Sequence, residues 1–213
     1  MLFHRILSAL LGYPDAELRA ALPEIAAAIA TADLSADERA ALKRFLGQLS
    51  DNDPTASEEE YVRTFDMVPE HSLHLTHHLI GEDKNRGPAL IDLAEYYKEY
   101  GIEIAQKELP DYLPLVLEFT SVLEDGEESR MFLSRWNKAL RQLHANLAEA
   151  GSPYADLIAL IERRSRLVEA SGDADATLAA AKSNPLLDDG DFDPPVNWNA
   201  PPSLSSECAG RRC

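Results

Sequence analysis

Four of the six histidines stand in one short run, His71-Ser72-Leu73-His74-Leu75-Thr76-His77-His78. Imidazole can ligate a metal, carry a proton or orient a nucleophile, so chemistry is sought here first. On one continuous helix, His71, His74 and His78 fall at i, i+3 and i+7 and share a face. His74 and His78 have the spacing of two zinc ligands one turn apart. Thr76-His77 stands where a zinc hydrolase carries its glutamate base, however, and no third ligand is evident. The run therefore reads as surface or core-edge histidines, with a metal-dependent hydrolase using His74 and His78 as the catalytic alternative. Ser72 beside His74 lacks a nucleophile elbow and oxyanion glycines. The runs Glu58-Glu59-Glu60 and Glu127-Glu128 read as solvated helix starts favoured by the macrodipole. Cys208 and Cys213 are two thiols where a structural zinc site needs about four ligands. No catalytic residue, resident metal or cofactor is expected.

Two further polar segments could bind a ligand. Gly81-Glu82-Asp83-Lys84-Asn85-Arg86-Gly87 has glycines and a cation but neither phosphate-loop spacing, so a helix stop at Gly81 and a turn at Gly87 explain it. In Glu108-Leu109-Pro110-Asp111-Tyr112-Leu113-Pro114, Asp111 reads as a helix N-cap with Pro114 in the first turn. One oxygen would satisfy a helical amide and leave lone pairs for water or a partner's cation. On that reading Asp111→Asn spares the fold and weakens partner binding.

The elements carrying these residues are helical. Pro14 closes an amphipathic first helix, and Pro23 kinks or breaks the next. Ser35-Ala36-Asp37-Glu38 has capping-box spacing. Asp53-Pro54 opens a helix whose inward side is Tyr61, Phe65 and Val62, and Pro69 separates it from the histidine helix ending near Gly81. The spacing of Leu90, Leu93, Ala94 and Tyr97 predicts an amphipathic helix ended by Gly101. One helix from Asp111 and another from Glu127 or Glu128 through Trp136 to Leu147 should follow. Ser152-Pro153 starts a further helix through Val168, with a short one over 173–182. The reading is an all-α, single multi-helix domain over 1–183, followed by an acidic, Pro-rich disordered tail over 184–213.

With 20 Lys+Arg against 37 Asp+Glu, the net charge of −17 repels phosphate backbones and anionic lipid. Nucleic acid is therefore excluded as a general partner, and a basic peptide is favoured. No apolar stretch approaches the roughly 20 residues of a membrane span. Arg5 interrupts the N-terminal apolar run and no small-residue cleavage site follows. A soluble cytoplasmic protein without stable membrane insertion is expected.

In order along the chain, Tyr61-Val62-Arg63-Thr64-Phe65-Asp66 after an acidic run, Ser72-Leu73-His74-Leu75, His78, Gly81-Glu82, Arg86-Gly87 and Glu108-Leu109-Pro110-Asp111-Tyr112-Leu113-Pro114 with Glu118-Phe119 form a specific set. It closely resembles, over roughly residues 58–120, the nitrate reductase assembly chaperones (NarJ-type, or delta subunit) of the TorD-like redox enzyme maturation family. The resemblance implies the TorD-like helical chaperone fold and a maturation factor outside the finished enzyme. It also implies binding to the N-terminal segment of the apo catalytic (alpha) subunit in the cytoplasm. Membrane attachment would wait while iron-sulfur and molybdenum cofactors are inserted, with molybdenum cofactor biosynthesis proteins as further partners. Tyr112 stands where many TorD-like relatives carry His, so no role of that imidazole transfers, and His77 lies outside the pattern. An apolar groove with acidic edges would take an amphipathic, partly basic peptide, with Tyr61, Phe65, His74, His78 and Asp111 as candidate contacts. A helical adaptor or regulator with an unrelated client is the remaining alternative.

Overall fold

Short-range signals explain most helix boundaries in the computed structural model, which describes residues 1–81, 83–104, 108–123 and 125–166. Helix α1 (Leu2–Leu10) buries Phe3, Ile6, Leu7 and Leu10, the three-and-four spacing of one helical face. Asp15 then accepts from the Leu18 amide at 2.9 Å and starts α2 (Ala16–Thr31). Pro23 sits inside α2, which continues past it as one element rather than two, with the ring exposed. The expected capping box opens α3 (Ala36–Asp51): Ser35 accepts from the Glu38 amide, and the Glu38 carboxylate accepts from the Ser35 amide at 2.9 Å. Asp53 and Pro54 start α4 (Pro54–Tyr61), which widens into a π-helical turn over Val62–Asp66.

The histidine run departs from expectation. Pro69–His71 forms a 3-10 turn, residues 72–74 run extended, and only Leu75–Ile80 is α-helical (α5). His71, His74 and His78 therefore belong to three different backbone geometries and share no helix face. Next comes α6 (Arg86–Glu99), which includes Gly87 where a turn was expected, and Gly101 follows with a φ of 73°. The helix expected from Asp111 starts instead at Leu113 (α7, Leu113–Val122), with Tyr112 at its N-cap. The helix expected from Glu127 to Leu147 is two, α8 (Gly126–Ser134) and α9 (Asn137–Glu149). Between them the Arg135 and Trp136 amides donate three residues back, a tight turn that sets the Trp136 ring fully into the core. The Ser152 hydroxyl accepts from the Tyr154 amide at the start of α10 (Tyr154–Arg164). The predicted helix over 173–182, the tail over 184–213 with Cys208 and Cys213, and Glu82 lie outside the described residues.

One hydrophobic cluster runs from Phe3 to Ile161 through α1, α2, α3, α7, α9 and α10. Helix α1 packs on α2 and α7, α10 packs on α3 and α9, and α9 also packs on α5. Arg164 ties three of these together. It donates to both Glu38 oxygens at 2.7 and 2.8 Å, to the Asp33 carbonyl, and lies 3.8 Å over the Phe3 ring. The Arg164 hydrogen bonds, foremost, and the Ser35 contacts hold the Glu38 carboxyl down at about 2 against the burial that raises it.

Candidate functional site

The segments singled out by the sequence meet where residues 72–76 pass beside residues 110–113. The Leu75 amide donates to the Asp111 carbonyl at 3.0 Å and the Leu113 amide to the Leu73 carbonyl at 2.9 Å, making an antiparallel bridge at His74 and Tyr112. This bridge fixes Asp111 beneath α5. Its side chain has 0% exposure, and Oδ2 accepts from the Thr76 amide at 3.1 Å and the Thr76 hydroxyl at 2.5 Å. Thr76 is the second residue of α5, so Asp111 caps that helix across the chain and not its own. Oδ1 lies 3.1 Å from His74 Nδ1, and because a carboxylate only accepts, Nδ1 carries the proton. Arg86 completes the set, donating Nε–H to the Thr76 hydroxyl at 2.9 Å with a guanidinium nitrogen 3.8 Å from Asp111. Burial alone would raise the Asp111 carboxyl. The hydrogen bonds from His74 and Thr76, with the His74 charge, outweigh it and leave it below its ordinary value.

Several residues of the family pattern thus act on one buried network. The Tyr97 hydroxyl donates to the Pro110 carbonyl at 2.9 Å, closing its lower edge. Gly81 ends α5 with a φ of 68°, while Leu113 and Phe119 are core, and Glu108 and Glu118 are exposed. The lone pairs assigned to a partner at Asp111 are spent inside the fold. His78 donates Nε2–H to the Ser72 carbonyl at 2.7 Å, and His71 donates Nδ1–H to the Thr64 carbonyl at 3.0 Å. Burial, foremost, with the charge of His77, lowers the His78 pKa against that carbonyl. His71, His74 and His78 each donate one ring N–H to a different protein acceptor, and among the described residues no group of three or more His, Cys, Asp or Glu is placed to hold a metal ion.

Above this network lies an aromatic surface. Tyr61 and Phe65 are buried, packed on each other at 4.8 Å and on Tyr154. The Tyr61 hydroxyl donates to the Leu11 carbonyl at 3.0 Å and lies 3.3 Å from the Tyr112 hydroxyl. Tyr112 faces His74 at 5.5 Å, and His74 keeps 33% of its side chain exposed. Tyr13, 44% exposed, meets Tyr61 edge to face at 5.4 Å. Burial first, then Glu58, Asp15 and Asp66, raise the Tyr13 hydroxyl. For Tyr112 burial leads, the Tyr61 hydrogen bond opposes it, and Glu108 and Asp66 add to it. Glu58, Asp15, Asp66 and Glu108 thus lie near enough to act on Tyr13 or Tyr112, and exposed Met67 and Leu109 follow Asp66 and Glu108 in the chain. Of the five predicted contacts, the structure places Tyr61 and Phe65 in the core, joins Tyr61 to half-exposed His74 only through Tyr112, and encloses Asp111. Tyr13 was not among the predicted contacts. Its only sequence signal is an aromatic in a Gly-Tyr-Pro turn outside any periodic face.

The chain is similar to several proteins whose names refer to nitrate reductase. It is 37% identical over 152 residues to the probable nitrate reductase molybdenum cofactor assembly chaperone NarJ of Bacillus subtilis, covering 71% of this chain and 82% of that one. It is 37% identical over 157 residues to nitrate reductase molybdenum cofactor assembly chaperone NarJ of Escherichia coli, covering 73% of this chain and 66% of that one. The nitrate reductase-like protein NarX of Mycobacterium tuberculosis matches 73% of this chain at 34% identity, within 23% of its own length. The family profile described as nitrate reductase delta subunit matches residues 13–159, which include Tyr13, the π-helical turn, the His74–Tyr112 bridge and the Asp111 network. With most of its length matched, the chain belongs to the nitrate reductase delta subunit family.

Proposed function

We propose that this chain is a non-catalytic, system-specific assembly chaperone. It holds the apo catalytic subunit of a nitrate reductase in the cytoplasm while molybdenum and iron-sulfur cofactors enter, before membrane attachment. Support comes from the family and its named relatives. Among the described residues no helix is long and apolar enough to cross a membrane. The observation that carries the binding reading is the tyrosine surface formed by Tyr13 and Tyr112 over the buried Tyr61, with His74 at its edge and Asp15, Glu58, Asp66 and Glu108 near enough to act on Tyr13 or Tyr112. Rigid aromatic rings supply contact area at low entropic cost, and the carboxylates select a partly basic segment. The N-terminal segment of the catalytic subunit is the proposed occupant. Asp111 positions the surface from below by fixing α5 and the His74 ring.

Calorimetric titration with a synthetic peptide of that segment tests the reading. Binding should show a negative heat-capacity change, and added salt should slow association more than it speeds dissociation. Tyr13→Ala should leave the helical circular dichroism unchanged and weaken binding by about 1–2 kcal/mol, in the range of an interface aromatic. Absence of binding would remove the proposed client. Undiminished binding by Tyr13→Ala would move the site off this surface.

A further inference from the structure

On α2 and α3 lies a second surface, a groove of about 400 Å³ that the proposed client site does not use. Leu22, Pro23, Ala26, Leu46 and Gly47 make its walls, and Arg19 and Lys43 stand at its edges. The lining carries two cations and no carboxylate, in a chain with 37 acids against 20 bases. Arg19 is held in place by donating to the Leu49 carbonyl at 3.0 Å and the Asn52 carbonyl at 2.8 Å, and no described carboxylate pairs with Arg19 or Lys43. Two residues that weaken helices sit in these walls without a reason inside the fold. Pro23 lies exposed within α2, and a Cβ added to Gly47 within α3 would meet nothing within 4 Å. Small or flat residues at both places keep the groove open.

The same chain contains a sequence with the opposite character. Residues 185–193, Pro-Leu-Leu-Asp-Asp-Gly-Asp-Phe-Asp, combine Leu186, Leu187 and Phe192 with Asp188, Asp189, Asp191 and Asp193. We propose that this acidic, apolar segment docks in the α2–α3 groove, apolar side chains on its walls and carboxylates toward Arg19 and Lys43. The tether permits it. Arg164 holds the end of α10 against Glu38 in the first turn of α3, and at 1.5 Å per residue the groove-lining part of α3 begins about 8 Å further on. Residues 167–185 reach up to about 60 Å when extended, several times that span. Being tethered, the segment faces the groove at high effective concentration, so modest contacts suffice.

Paramagnetic broadening in the full chain tests this. A nitroxide is attached at Ser50→Cys, on the groove rim, with Cys208→Ser and Cys213→Ser removing the native thiols. The amide signals of residues 186–193 should lose most of their intensity, and adding Lys43→Glu should restore it. Unbroadened signals, or broadening indifferent to Lys43→Glu, would overturn the proposal. So would broadening found only on mixing isotope-labelled chains with separate nitroxide-bearing ones, because the occupant would then belong to a second copy.

Discussion

Asp111 shows how one residue's role depends on partners remote in sequence. Local spacing makes it an N-cap with spare lone pairs, on which reading Asp111→Asn would keep the fold intact. In the structure both its oxygens are taken, by His74 Nδ1–H and by the Thr76 amide and hydroxyl. An asparagine can still accept from Thr76, but its amide would present N–H groups to the protonated face of His74. We expect Asp111→Asn to destabilise the fold by about 1–3 kcal/mol, the range for removing a charged acceptor from buried donors. Asp111→Ala should cost about 3–5 kcal/mol. Urea unfolding measures both, and an unchanged midpoint for Asp111→Ala would show that the network contributes nothing net. The carboxyl's lowered pKa means this contribution is present above the ordinary carboxylate range and fades as pH falls through the lowered value.

Helix ends were legible wherever the chemistry was local. Ser35 with Glu38, Asp53 with Pro54, Ser152 and Gly101 act at the positions their types indicated. Elements set by distant pairing were not legible. The histidine run reads as one helix by composition, yet residues 72–74 are drawn out to pair with residues 111–113, and no local signal announces that strand-like contact. By sequence Gly81 reads as a helix stop and Gly87 as a turn, and only the first holds. Gly81 has φ 68° and ψ −142°, a region nearly closed to side chains, whereas Gly87 lies in α6 and has ordinary φ. Apart from its chain neighbours, a Cβ at either would touch nothing within 4 Å, so packing against the rest of the fold does not separate them. Gly81→Ala should therefore destabilise by about 1–3 kcal/mol. Gly87 is helical immediately before Pro88, whose ring disfavours that backbone once the preceding residue carries a Cβ, so Gly87→Ala should gain little from helix propensity and shift stability by less than about 1 kcal/mol. Thermal melts of the two variants decide the matter, and a Gly81→Ala loss no larger than that of Gly87→Ala would contradict the backbone assignment.

Across the whole molecule, acid acts in two opposing ways. The net charge of −17 and a pI near 4.6 mean that lowering pH relieves repulsion among carboxylates, a diffuse effect that salt screens. Against it stands His4 in α1, buried at the α1–α7 contact with Nδ1 lacking a partner. Burial, foremost, and positive charge from the Met1 amino group and Arg164 lower its pKa to about 4, although the Thr120 carbonyl opposes this. The unfolded chain therefore takes up this proton first. Stability is intact above about 6.5, falls as pH drops, and levels off below about 4. Between about pH 7.5 and pH 5 the loss amounts to about 2 kcal/mol, because each tenfold difference in proton affinity between the folded and unfolded chain is worth about 1.4 kcal/mol. His78, also lowered, adds in the same direction, and Glu38 extends the loss as pH falls toward about 2. Urea unfolding at high salt, where the repulsion is screened, should show this fall in the parent chain. In His4→Phe most of it should vanish, whatever the variant costs at neutral pH. Equal slopes in the two chains would mean that the buried imidazole is not what makes the fold acid-sensitive.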